Sequence, residues 1–216
     1  MEVSSDFKLL KNRDEVGRVD LLESTRSQII IALILITLIF AARLLPHAAN
    51  FTPVAAVGLF AGVYLRKSWA PLVPLAGLIL SDIFLDGYSW RGRAIVYGSF
   101  LLTSFLGRFL TRGGLFKKRG NLFARSGGFG AKFFGVSAGA ILSSLLFFFI
   151  TNNIFLYTPA FYPMNFDGMV ASYVMGIPFF RSQILGDLIY SGALFGMYEI
   201  ARIWATRQVE DPVVLQ

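Results

Sequence analysis

The sequence predicts an all-α integral membrane protein, a bundle of six transmembrane helices with a long aromatic-rich outer loop between helices five and six. Three observations predict it. Hydrophobic residues make up 55% of the 216-residue chain and charged residues only 15%, against about 25% in soluble domains. Mean hydropathy is +0.62. Six apolar stretches fill most of the chain, near the length of about 20 residues that crosses a hydrocarbon core of roughly 30 Å.

The elements follow in order. Residues 1–27 form a polar tail of mixed charge with six acids and no apolar core followed by a small-residue cleavage site, so helix one, near 28–45, reads as a retained signal anchor. Helix two, near 52–66, opens on Thr52 and Pro53 as cap and first-turn residues and is short for a span, with Arg66 and Lys67 placed to snorkel. Helix three covers about 69–86, helix four about 93–110 and helix five about 131–151. Between helices four and five, residues 111–130 are glycine-rich and basic, which suits a membrane-surface loop. The outer loop spans 152–181 with eight aromatics and is interrupted by Pro159, Pro163 and Pro178. Loops of that length carry structure or function. It reads as an interfacial aromatic belt or as a lid, with Gly168 to Gly176 forming a short apolar helix. Helix six covers about 182–205, and 206–216 form a second tail.

Orientation follows from the basic residues, because loops retained in the cytoplasm keep them. Sixteen of the 20 lysines and arginines fall before helix one, after helix two, around the loop after helix four and at the end of helix six, leaving Arg43, Arg91, Arg93 and Arg181 on the other side. Both termini are therefore expected in the cytoplasm, with the protein in the inner membrane. The net charge of +7 is explained by these loops, and nucleic acid is not an expected partner. There is no cysteine, which excludes disulfides and thiolate chemistry.

Small residues recur at helical spacing: Gly58 with Gly62, Gly135 with Gly139, and Gly192 with Gly196 form G-x-x-x-G pairs on helices two, five and six. Such pairs let helix backbones approach, within the bundle or toward a partner protein. Gly135 to Gly139 also matches G-x-S-x-G around Ser137, but a nucleophile elbow needs a strand-to-helix turn, and this segment is an apolar helix. The only histidine, His47, ends helix one, far in depth from Ser137, so no serine-protease arrangement forms. No catalytic set, metal site, phosphate loop or cofactor motif is expected.

The chemistry lies in the ionisable residues at the outer face. A carboxylate in a span costs about 2.5 to 3.5 kcal/mol on insertion scales, so one that stays faces a cavity or a partner. Asp82 and Asp86 share a face at the outer end of helix three. Asp187 lies five residues into helix six, about 8 Å from its outer end at 1.5 Å per residue. Arg43, Asn50, Asn153, Arg181 and Gln183 sit at the same level. The set reads either as interfacial residues or as a pocket for a small solute. In the pocket reading, Asp82 and Asp187 accept hydrogen bonds from the ligand or hold Arg181 or Arg43, Asn50 and Asn153 orient the ligand, and Tyr157, Phe161 and Tyr162 cover it.

The blocks Asn50 to Ala56, Leu80-Ser81-Asp82, Ile177 to Arg181, Leu185 to Tyr190 and Leu194-Phe195-Gly196 resemble a family of bacterial proteins classed as transporters of undetermined substrate. That family in turn resembles the S components of energy-coupling factor transporters. The resemblance spans roughly 43–196. It implies a six-helix subunit that captures a vitamin or similar small organic solute from outside and relies on a coupling membrane subunit and ATPase subunits for energy. The first helix lacks the A-x-x-x-A type coupling signature of S components; Ala56 to Gly62 on helix two carries small residues at a similar spacing. Two other readings remain: a secondary transporter in which Asp82 or Asp187 carries protons, and a membrane scaffold that docks a partner through its glycine faces.

Overall fold

The computed structural model describes residues 24–85, 89–112, 129–156 and 161–210. Among them the chain is helical and contains no strand. Six α-helices follow one another: α1 Thr25–Leu44, α2 Val54–Tyr64, α3 Leu72–Asp82, α4 Trp90–Arg112, α5 Phe129–Thr151 and α6 Phe166–Glu210, with a single 3-10 turn at Ile154–Leu156 between the last two.

Contacts at the helix ends set the directions. Gln28 of α1 donates to the Tyr64 carbonyl and accepts from the Arg66 amide, so the start of α1 meets the end of α2. Arg43, near the end of α1, reaches Leu78, Ser81 and Asp82 of α3. Thus α1 and α3 run together, opposed to α2. Gly58 packs against Thr103 and Gly62 against Ser104 and Arg108, so α4 runs with α2. Gly139 touches Leu59 and Leu110, which turns α5 back again, and α6 returns beside α2 through Phe60 and Phe195. One end of the bundle gathers Arg66, Lys67 and Arg108 and is called the basic end; the other holds Arg43 and Asp82 and is called the Asp82 end.

Among the described residues, three helical segments are long and apolar enough to cross a membrane: Thr25–Leu44, Phe134–Thr151 and Phe166–Ala201. The helices α2 and α3 have 11 residues each, about 16 Å, half of a hydrocarbon core. The short α2 is the central post: every residue from Val54 to Gly62 is buried. Glycines make that possible. A Cβ on Gly58 or Gly62 would run into α4, and one on Gly107 would run into the Leu59 carbonyl of α2. The two backbones touch as G-x-x-x-G packing requires. Gly192 and Gly196 differ, since nothing lies within 4 Å of a Cβ at either. Apolar residues cover the outside as well: Ile30, Leu33 and Ile34 on α1 are each more than half exposed, as are Phe105 and Phe109 on α4. A continuous apolar surface of this kind suits lipid rather than water.

The chief departure from the sequence expectation is α6. The expected outer loop 152–181 is mostly helix, and α6 begins at Phe166, sixteen residues before the expected start, and runs 45 residues to Glu210. That is about 67 Å of helix, more than twice a hydrocarbon core. Pro178 was expected to interrupt the segment but lies inside the helix. It removes one backbone donor, and neighbouring tertiary contacts on both sides hold the helix regardless: Tyr173 stacks on Phe148 and Phe180 on the same ring. The expected apolar helix at 168–176 is therefore present as part of α6. Elsewhere the expected helices stand within a few residues of those observed. Residues 86–88, 113–128 and 157–160 contain Asp86, much of the basic loop and Tyr157, and those expectations lie outside the described residues.

Candidate polar site in the helix bundle

The ionisable residues expected to form one cluster form two. The first joins α1, α3 and α4 at the Asp82 end. Arg43 Nη1 lies 2.6 Å from Asp82 Oδ1, donates to the Ser81 hydroxyl at 2.6 Å and meets the Leu78 carbonyl at 3.3 Å. The Arg43–Asp82 contact is an ion pair rather than a well-directed hydrogen bond. On the other oxygen, Tyr97 of α4 donates to Asp82 Oδ2 at 2.6 Å, and Arg93 Nε stands 4.0 Å away. The two side chains of the pair are 14% and 7% exposed. A buried carboxylate paired with a cation on one side and a phenol on the other is compensated, so Asp82 needs no ligand. Asp82 thus ties three helices together, with Arg43 as the offsetting cation, one of the two that the sequence offered.

The second cluster surrounds Asp187 and has no cation among the described residues. Asp187 is 2% exposed. The Ser144 hydroxyl of α5 donates to its Oδ2 at 2.6 Å, and Gln183, one turn earlier on α6, also hydrogen-bonds the carboxylate. A small cavity of about 20 Å³ opens beside it, lined by Asn50, Thr52, Gln183 and Asp187 with Phe100 and Phe147 as apolar walls. That is room for about one water. Further along the same face of α6, Ser191 is fully buried with its hydroxyl lacking a hydrogen-bond partner among the described residues, and Ser143 of α5 is in the same state. Buried hydroxyls without partners are uncommon in folded proteins, and an ordered water commonly serves such groups.

Local sequence explains how Asn50 reaches this cavity. The Phe51 amide bonds the Ala48 carbonyl at 3.0 Å, closing a tight turn in which Asn50 takes φ 61°. Asparagine tolerates that left-handed conformation better than other side-chain-bearing residues. The turn then delivers Phe51 onto α6, where it stacks on Tyr190 and lies 3.3 Å from the Cβ position of Gly186. The segment entering α2 thus forms one wall of the Asp187 site.

Depth is set by the neighbour rather than by the start of α6. Ser144 lies seven residues inside Thr151, the last residue of α5, about 10 Å along the helix. The sequence placed Asp187 about 8 Å from the outer end of helix six; α6 starts 21 residues before it, and Asp187 is buried against α5.

The other candidate residues do not converge here. Arg181 is exposed and makes no ion pair among the described residues, so it offsets neither carboxylate; the cation on Asp82 is Arg43. Asn153 accepts from the Phe155 amide at 3.1 Å and so holds the 3-10 turn. Phe161 is 90% exposed and covers nothing. Ser144 and Tyr97 were not anticipated. A serine inside an apolar helix, at a depth that faces the aspartate, was the available signal for Ser144; Tyr97 offered none, since aromatic residues abound. No group of three or more metal-ligating side chains occurs among the described residues.

A family model described as a family of unknown function (DUF6580) matches residues 23–209. No curated protein and no solved structure matches the chain.

Proposed function

We propose that this chain, which belongs to the DUF6580 family of unknown function, is a multi-pass inner-membrane protein that binds a small organic solute at Asp187 for uptake. In this reading all six helices traverse or enter the bilayer, both termini are cytoplasmic, the basic end faces inward and the Asp82 end outward.

The observation that carries the proposal is a carboxylate 2% exposed in an apolar helix, held by two neutral groups, Ser144 and Gln183, and facing a cavity with Asn50 and Thr52. A carboxylate retained inside a membrane span without a cation is costly to the fold, so its retention implies a role. The matching solute carries a cationic or strongly donating group for Asp187, with Asn50 and Gln183 supplying further hydrogen bonds and Phe100 and Phe147 packing its apolar part. At about 20 Å³, the site as it stands is closed. Entry of a vitamin-sized solute requires the turn at 48–53 to move away from α6. Energy comes from partner subunits, a coupling membrane protein and ATPases, in the manner of the S components that the sequence resembles.

A second reading is favoured by the size of the same cavity. A site for a single water beside a carboxylate suits a proton carrier, and the chain then works as a secondary transporter without ATPases. The scaffold reading draws support only from the open Gly192 and Gly196 face.

Native mass spectrometry of the protein purified in mild detergent, before and after incubation with a library of vitamins and cationic metabolites, tests the proposal. A bound small molecule present in wild type and missing from Asp187→Asn supports it. Equal adducts, or none with either protein, removes solute binding at Asp187, and proton uptake by vesicles containing the chain alone would then support the proton carrier.

A further inference from the structure

We propose that the basic end carries a second, separate site that holds the phosphate headgroup of an anionic phospholipid, with Lys67 on the phosphate and Phe105 against an acyl chain. A cleft of about 500 Å³ opens there between the α2–α3 turn and α4, lined by Lys67, Ser68, Pro71, Ser104, Phe105 and Arg108. That volume is within the range of sites that take small molecules. The Asp187 cavity is elsewhere: its wall residue Phe100 lies eight residues before Arg108 on α4, about 12 Å along the helix.

Charge and apolarity are divided within this cleft. Two cationic side chains, Lys67 and Arg108, belong to its lining, and α3 begins at Leu72, next to the lining residue Pro71, with no side chain capping it. The first amides of α3 are already taken, Leu72 and Val73 by the Trp69 carbonyl, so an anion here is held by side chains rather than by the helix end. Ser104, 2% exposed, has a hydroxyl without a hydrogen-bond partner among the described residues and belongs to the same lining. Apart from Ser68 the remaining wall is apolar, and Phe105 is 55% exposed.

The occupant follows from what lies next to the cleft. Leu102, Phe105 and Phe109 are exposed at 43%, 55% and 54% and, three and four residues apart, form one apolar strip along α4. A free phosphate or a soluble metabolite would satisfy Lys67 and leave this strip bare. A phospholipid satisfies both, with its phosphate at Lys67 and an acyl chain along the strip. Basic side chains at a membrane surface attract anionic lipids, and a single lysine contributes a factor of about five.

The full-length protein in an uncharged detergent is incubated with phosphatidylglycerol or with phosphatidylcholine of the same acyl chains, and bound lipid is counted by native mass spectrometry. Phosphatidylglycerol should exceed phosphatidylcholine, and Lys67→Gln should lower its occupancy about fivefold, whereas Arg91→Gln, exposed at the Asp82 end, should leave it unchanged. Phe105→Ala should weaken both lipids together. Lys67 and Phe105 are exposed, so both variants retain the fold. Equal binding of the two lipids, or unaltered phosphatidylglycerol in Lys67→Gln, overturns the proposal. Displacement of phosphatidylglycerol by millimolar inorganic phosphate also overturns it, by showing a site for a free anion.

Discussion

Ser144 and Asp187 meet at 2.6 Å between α5 and α6, and the serine donates to the carboxylate. The Ser144 hydroxyl also lies 3.1 Å from the Ala140 carbonyl of its own helix. A hydroxyl has one proton, and the shorter contact takes it. This bond locks the depth and rotation of α6 against α5 at a buried carboxylate that has no cation beside it among the described residues.

Removing that donor should therefore be felt in both stability and binding. Ser144→Ala is expected to cost about 1 to 3 kcal/mol, the range for stranding a buried polar group, measured by denaturant unfolding in detergent micelles. A change under 0.5 kcal/mol would show that the bond is dispensable.

The Arg43–Asp82 pair is expected to be structural. Arg43→Gln leaves a carboxylate that is 7% exposed with only Tyr97 and the more distant Arg93 and should destabilise the protein by about 3 kcal/mol. The double variant with Asp82→Asn should recover at least about 1 kcal/mol of that loss. Strict additivity of the two single changes would mean that the pair does not hold α1 to α3.

The glycines divide into packed and open positions. Gly62→Ala places a methyl group against the α4 backbone at Ser104 and should lower stability by about 1 to 3 kcal/mol. Gly196→Ala meets nothing within 4 Å and should be neutral or stabilising by up to about 1 kcal/mol through helix propensity. Thermal unfolding of the two variants side by side checks this, and a reversed order would contradict the packing of α2 on α4.

Because the chain has no cysteine, single introduced cysteines report topology without background. Ala48→Cys, exposed in the turn before α2, should react with an impermeant maleimide in intact cells. Ser68→Cys, exposed at the basic end, should react only after permeabilisation. The opposite pattern would invert the proposed orientation.

Much of the bundle was legible in the chain. The existence and order of the helices follow from apolar stretches separated by polar and glycine-rich segments, and the tight packing of α2 is written in Gly58 and Gly62. The length of α6 was not legible. Proline and aromatic residues between 159 and 180 read as a loop because local preference disfavours helix at Pro178, whereas in the fold Tyr173 and Phe180, on either side of that proline, both pack on Phe148.

The same division holds at the site. Residue chemistry alone marked Asp82, Asp187, Arg43 and Asn50 as exceptional, since an ionisable or amide side chain among apolar neighbours has to be compensated wherever it ends up. Partnership was a matter of packing. Arg43 and Asp82 are 39 positions apart in the chain and Ser144 and Asp187 are 43, and nothing in either spacing says which carboxylate receives a cation and which a hydroxyl. The rotation of each helix against its neighbours made that choice, placing Asp82 in an ion pair and leaving Asp187 to neutral donors and a water-sized cavity.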